Sequence, residues 1–320
     1  MNKIIKLQNG SVFKLYNIPK IYFNKLKEEF IFEEINNIKI NSYIDIEFSS
    51  GIKSDIKSLK IFKEPVCIDK YGVFFIDQQG SIARIDFQIK KSKLIKLKVN
   101  SKFDTHFFYI IMLYLASISF LKNKGIFIHA SAVEQKNRLF IFPAWRNVGK
   151  THLALQFVKN NFKLVSDDGL WLDSKGKIIS CSKNIQLLYF NFKKMQSLHK
   201  YLDRKNNEIY NFLCKIKNQK TILTRKSINH LRSKIRVRLN NPYNDNTLKY
   251  RVSNNTKCIY LNRILIKEKN IKDVKKIPKE RLFYQMLATT KFEFGYLFDA
   301  YNLWKMNIGL SNQYLENYDK

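Results

Sequence analysis

Over the first hundred residues, apolar and polar positions alternate in short runs. Val12–Tyr16, Tyr43–Phe48, Val73–Ile76, Ile82–Ile89 and Ile95–Val99 are rich in β-branched and aromatic residues, the pattern of half-buried strands. Asp77-Gln78-Gln79-Gly80 separates two of these runs and predicts a hairpin turn. Near residue 104 the pattern changes. Phe107–Leu121 is an uncharged, largely apolar run of 15 residues. It is shorter than the roughly 20 residues that span a bilayer, so it predicts a buried core helix. Lys122-Asn123-Lys124-Gly125 is the helix stop. Gly125–Glu134 and Arg138–Pro143 then read as short apolar strands. Apolar residues at Leu153, Leu155, Phe157 and Val158 have helical spacing. Lys163–Ser166 is another short strand and ends at Asp167-Asp168. The segments 170–173 and 177–180 predict a strand pair. Farther on, 240–246 reads as a loop, Lys257–Leu265 as strand, and Ile277–Leu287 and Ala300–Met306 as helices.

This order of elements divides the chain into a strand-rich N-terminal domain, 1–100, and an α/β domain, 101–320. A length of 320 residues suits about two domains of roughly 150 residues. The N-terminal part carries no catalytic constellation, which suits docking or structural support. With 45% hydrophobic and 26% charged residues, disordered, collagen-like and disulfide-stapled chains are excluded.

Charge changes the picture only partly. Lys and Arg number 58 against 26 Asp and Glu, a formal net charge of +32. Such a balance suits an anionic partner: nucleic acid, a membrane surface or an acidic peptide. The chain is also crowded with Lys, Ile, Asn, Phe and Tyr, whose codons are AT-rich, so codon bias is the competing account of the same charge. The most basic window, 191–240, holds 14 Lys and Arg against Asp203 and Glu208, so it carries +12. It belongs to a basic insertion over about 191–255. The cysteines Cys67, Cys181, Cys214 and Cys258 form no CxxC pair. Reduced thiols, and an N-terminal apolar run too short for a signal peptide, predict a cytoplasmic protein without a membrane span.

The informative segment is Ala144-Trp145-Arg146-Asn147-Val148-Gly149-Lys150-Thr151. It follows a strand and opens a helix, as a Walker A loop does, and it keeps the Gly-Lys-Thr end of GxxxxGK[ST]. Backbone N–H groups at a helix N-terminus cradle phosphate oxygens. Lys150 can reach the β- and γ-phosphates and Thr151 can hold Mg²⁺. Two positions depart from the pattern. Ala144 stands for the first glycine, and would cost on the order of 1 kcal/mol or more if that position needs a positive φ. Asn147 stands where many such loops have an inner glycine, and Asn tolerates the left-handed region. Asp167 follows Lys150 by 17 residues, enough for one helix, one turn and one strand back to the same sheet edge. One carboxylate of the Asp167-Asp168 pair can bind Mg²⁺ or its water, and the other can accept the proton of an attacking hydroxyl. At the loop tip Arg146 could offset phosphate charge or Trp145 could stack on a base, and a solvated loop suits both residues equally.

From about Gly125 to Asp173 the sequence resembles the catalytic core of the HPr kinase/phosphorylase-like family. The match rests on a strand with His, a Walker A-like loop after a short strand pair, and a strand ending in Asp-Asp. The resemblance implies a P-loop kinase core related to phosphoenolpyruvate carboxykinase. It implies ATP with Mg²⁺, and a serine hydroxyl as acceptor. On that likeness Asp168 is the base, Asp167 lies near the metal, and His129 lies close to the phosphates. Ser131 falls beside them as a supporting residue. Asn161 replaces the family's glycine ahead of the Asp-Asp strand, and the signature for binding HPr itself is missing. Divergent relatives of the family act on peptides or small hydroxyl compounds in biosynthetic settings, so a peptide or protein acceptor is implied, and the basic window suits an acidic one. Family kinases often assemble, so a homo-oligomer is implied too.

Three functions follow from these residues. The first is an ATP-dependent kinase of a serine-type hydroxyl. The second is a nucleotide-binding pseudokinase or scaffold, for which the degenerate loop speaks. The third is a basic nucleic-acid-binding protein, against which stands the lack of a recognition motif or of aromatic residues interleaved with the basic ones. In the first, an arginine between residues 225 and 251 would supply a transition-state cation.

Overall fold

In the computed structural model the described residues are 1–36, 43–52, 60–63, 66–68, 72–87, 95–121, 124–136, 138–145, 148–180, 184–202, 204–216, 236–240, 250–251, 256–260, 276–293, 295 and 299. They form a mixed α/β protein of several sheets and six α-helices. Of the expected loop at 240–246, Asn240 closes a strand and 241–246 lie outside the described residues, as do the helix at Ala300–Met306 and most of Lys257–Leu265.

The N-terminal strands are β1 (Lys3–Leu7), β2 (Val12–Tyr16), β3 (Phe32–Glu34), β4 (Ile44–Ser49), β5 (Lys60–Lys63), β6 (Val66–Ile68), β7 (Gly72–Ile76), β8 (Ile82–Phe87) and β9 (Ile95–Asn100). They make one nine-stranded sheet in the order β3-β1-β2-β4-β9-β8-β7-β6-β5. Alternation decides its faces. In β4, Ile44, Ile46 and Phe48 are buried while Asp45, Glu47 and Ser49 are only half-buried. The hairpin turn between β7 and β8 is made as expected, with the Gly80 N–H donating to the Asp77 carbonyl.

Two helices cover the apolar face. Helix α1 (Lys20–Glu29) starts after Pro19 and buries Tyr22, Phe23 and Leu26. Its apolar positions are too few to stand out among the strand-like runs. Helix α2 (Thr105–Leu121) is the apolar run, and nine of its 17 residues are buried. A helix apolar all round needs partners all round. Residues Phe108, Ile111 and Leu115 share the core of the nine-stranded sheet, and the same core continues to Phe127, Trp171 and Ile179 beyond. Lys124, not Gly125, takes the left-handed conformation at the helix stop (φ 57). Gly125 is there for space, since a Cβ would overlap the Phe120 ring.

The rest of the core is layered. Strands β10 (Ile126–Ile128), β14 (Leu170–Leu172), β15 (Lys177–Ser180) and β18 (Tyr250–Arg251) form one four-stranded sheet. It is buried on both faces: Trp171 and Ile179 point to the α2 core, Leu170 and Ile178 to the opposite side. That opposite side meets a second sheet of β11 (Ala130–Gln135), β12 (Arg138–Pro143), β13 (Lys163–Ser166) and β19 (Lys257–Cys258), ordered β13-β11-β12-β19. Helix α3 (Lys150–Lys159) lies on its far face, where Ala154 and Leu155 join Val133, Phe142 and Leu164.

Gly125–Glu134 is therefore not one strand. The chain changes sheets at His129, so β10 and β11 pair with different partners. The basic window is an excursion closed by β16 (Asn184–Leu188) and β17 (Arg236–Asn240), which pair antiparallel. Helix α4 (Tyr189–Lys194) and helix α5 (Arg204–Ile216) lie within it, and Phe192, Tyr210 and Leu213 fasten it to the α3 layer. Helix α6 (Lys279–Glu293) follows, with Met286 against Cys258. Among the described residues no helix is long and apolar enough to cross a membrane.

Candidate functional site

Strands β12 and β13 both run antiparallel to β11, so they are parallel to each other. The C-terminal ends of β12 and β13 and the N-terminal end of β11 thus meet at one sheet edge. The first delivers Ala144 and Trp145, the second Asp167 and Asp168, the third His129 and Ser131. The strand-to-loop-to-helix reading of the sequence is realised here, with α3 opening directly at Lys150.

The loop is built without strain at Ala144. Its N–H approaches the His129 carbonyl at 3.4 Å, and it is fully buried. Among the described residues it is not one with a positive φ, so the penalty attached to a missing glycine does not arise. Gly149 is the residue that needs glycine: it caps α3 at φ 111, ψ 22, where a Cβ is disfavoured. Asn161 also has a positive φ, 66, just past α3, a conformation that asparagine tolerates. Trp145 is exposed, at 36%. Arg146 and Asn147 lie outside the described residues. So do Arg225 and Arg232, while Arg236, Arg238 and Arg251 fall on β17 and β18.

Lys150 is buried, at 4% exposure. Its Nζ lies 2.6 Å from His129 Nε2 and donates to the carbonyls of Ala144 and Trp145, both at 3.2 Å. An ammonium has no lone pair, so Nε2 accepts and the imidazole proton sits on Nδ1. The break between β10 and β11 is what allows this. His129 is at the switch of sheets, its carbonyl facing Ala144 and its ring facing Lys150.

Asp167 is buried too. Its Oδ1 accepts from Ser131 Oγ at 2.7 Å, and Thr151 Oγ1 lies 3.0 and 3.1 Å from its two oxygens. Burial pushes its carboxyl up from the usual 3.8 to about 7, and the neighbouring charge of Asp168 adds to the rise. The hydroxyls of Ser131 and Thr151 and the charge of Lys150 oppose it. Asp168 differs sharply. It is exposed and left-handed, with φ 63.

A bulge explains how Asp167 comes to face α3. Ala132 pairs with Ser166 but Val133 pairs with Leu164, which leaves Val165 as an extra residue in β13. Leu164 lies on the α3 side. Strict alternation would turn Asp167 to the opposite face, and the extra residue reverses the parity. The sequence carries no local signal for this bulge.

No protein-family model matches the chain, and no curated protein matches it. The chemistry therefore rests on the donor set. A hydroxyl and a carboxylate about 3 Å apart, with a cation-bearing lysine and a helix N-terminus adjacent, are hard oxygen ligands beside an anion-binding turn. Among the described residues no group of three or more His, Cys, Asp and Glu is placed to hold a metal. A Mg²⁺ ion that arrives with a polyphosphate needs only one or two protein carboxylates, so the set fits that ion.

Proposed function

We propose that this chain is an ATP-dependent kinase with an HPr kinase-like core, acting on a serine-type hydroxyl of a peptide or protein. The observation that carries the reading is the contact of Thr151 with Asp167 at the start of α3, with Lys150 buried and Asp168 exposed. The N–H groups at the start of α3 and the Lys150 ammonium bind and orient the phosphates. Thr151 and Asp167 would hold Mg²⁺, which would supply neutralisation of the polyphosphate charge. Asp168, in solvent, takes the proton of the acceptor hydroxyl as its oxygen bonds to the γ-phosphorus and the bond to the ADP oxygen breaks. His129 holds Lys150 at the sheet edge. The basic residues of α5 and its surroundings suit an acidic acceptor.

The test is calorimetry of ATP with Mg²⁺ on wild type and Lys150→Met. Mass spectrometry of peptides encoded beside the gene, incubated with the protein and ATP, then looks for a gained phosphate. Binding that depends on Lys150, together with a phosphopeptide, is the expected result. Binding without transfer to any peptide leaves a nucleotide-binding scaffold, and absence of binding removes the kinase reading.

A further inference from the structure

We propose that Ser131 is the positioning residue that sets Asp167 for Mg²⁺, an inference that rests on the kinase reading above. Ser131 is fully buried on β11, between Ala130 and Ala132, which are both buried in the apolar core. Its Oγ donates to Asp167 Oδ1 at 2.7 Å across 36 residues of chain.

The hydrogen bonding is asymmetric. Thr151 Oγ1 stands almost equally far from both carboxylate oxygens, at 3.0 and 3.1 Å. A hydroxyl has one proton, so it cannot serve both oxygens at full strength. Thr151 alone would leave the two oxygens of Asp167 nearly equivalent. Ser131 removes that equivalence by tying Oδ1. Oδ2 is left with only a share of the Thr151 proton, and is the oxygen with lone pairs to give.

The support is rigid as well as directional. Strand β11 is paired on both sides, Ser131 itself lying opposite Phe142 of β12, so the hydroxyl is fixed by the centre of a sheet. Thr151 stands at the second position of α3 and must turn its oxygen toward the cation when it ligates. The Ser131 bond does not depend on that turn, and holds the carboxylate while Thr151 changes partner. Outer hydrogen bonds to a ligating carboxylate are commonly worth 10–100-fold in metal affinity.

A purely structural serine would do something else. It would satisfy a buried carboxylate and lower stability when removed, without regard to the metal. Calorimetry of ATP on the full chain separates the two roles, with titrated Mg²⁺ in one arm and excess chelator in the other. For Ser131→Ala the half-saturating Mg²⁺ concentration is expected to rise about tenfold. ATP binding in chelator should stay unchanged, and Ser131→Thr, which keeps the hydroxyl, should stay near wild type. An unchanged Mg²⁺ requirement in Ser131→Ala overturns the proposal, as does an equal loss of ATP affinity with and without the metal. If Ser131→Ala fails to fold, Ser131→Cys retains the volume with a weaker donor. A raised Mg²⁺ requirement in it supports the proposal and an unaltered one overturns it. A wild type that binds no ATP, or binds it without regard to Mg²⁺, fails at an earlier point and takes the kinase reading down with this one.

Discussion

The Nζ of Lys150 sits 2.6 Å from Nε2 of His129, a residue 21 positions earlier and at the point where the chain changes sheets. Two further acceptors, the carbonyls of Ala144 and Trp145, face the same ammonium. The lysine is thus anchored at the sheet edge by groups that a phosphate oxygen can replace. Lys150→Met retains a chain of similar length and apolar character. It is expected to fold, shown by an unchanged far-UV spectrum. ATP affinity should fall about 10–100-fold, the equivalent of losing a hydrogen bond to a charged group worth about 1.5–3 kcal/mol. Wild-type affinity in a folded Lys150→Met would remove the loop from the site.

Ala144 leads to a prediction opposite in sign to the one its sequence suggests. Replacing it with glycine restores the first residue of a Walker A pattern. In the structure the residue has no positive φ and is fully buried, so glycine brings only added freedom to the unfolded chain. Ala144→Gly is expected to lower stability by about 0.5–1 kcal/mol in denaturant titration. ATP affinity should stay unaltered. A clear gain in affinity would show that the Cβ obstructs the phosphates.

What was legible in the sequence was local. Gly149-Lys150-Thr151 ahead of helical spacing, and a short strand ending in Asp167-Asp168, are chemistry written in adjacent residues, and the structure brings Thr151 and Asp167 into contact. What was not legible depended on distant partners. The switch of sheets at His129 is invisible because Gly125–Glu134 is largely apolar, and either sheet accepts such a run. The bulge at Val165 follows from register against β11, which no residue of β13 announces. The apolar period of α2 shows that it is buried. It does not show that one side of the helix would be shared with Trp171, three residues after Asp168. The pairing of β16 with β17 needed the whole basic excursion to be recognised as a closed unit.

Asp168 combines solvent exposure with a left-handed backbone, φ 63. Most substitutions there would mix a backbone penalty with a chemical one. Asparagine does not, because it enters the same region readily. Asp168→Asn should therefore keep the wild-type melting temperature and ATP affinity. Phosphoryl transfer to the acceptor should fall by about 10²–10⁴-fold, the usual contribution of a general base. Quenched-flow or end-point phosphopeptide assays measure that loss. Full transfer rates in Asp168→Asn would assign the proton to another group.

Asp167 gives the chain without bound metal an unusual dependence on pH. Its carboxyl titrates at about 7 in the folded protein and near 3.8 in the unfolded chain, because burial and the charge of Asp168 disfavour ionisation. Between those values the folded state holds a proton that the unfolded state has released. Stability from this group is fully present below about pH 4, declines as the pH rises toward 7, and stays low above that. Asp167→Asn removes the titration. It is expected to be more stable than wild type at pH 8 by more than about 1 kcal/mol, since each tenfold change in the ionisation equilibrium is worth about 1.4 kcal/mol. The advantage should disappear near pH 4. Urea titrations of both proteins across that range, in chelator, measure the difference. A wild type that is no less stable than Asp167→Asn at pH 8 would mean that Ser131, Thr151 and Lys150 already stabilise the carboxylate enough to offset its burial.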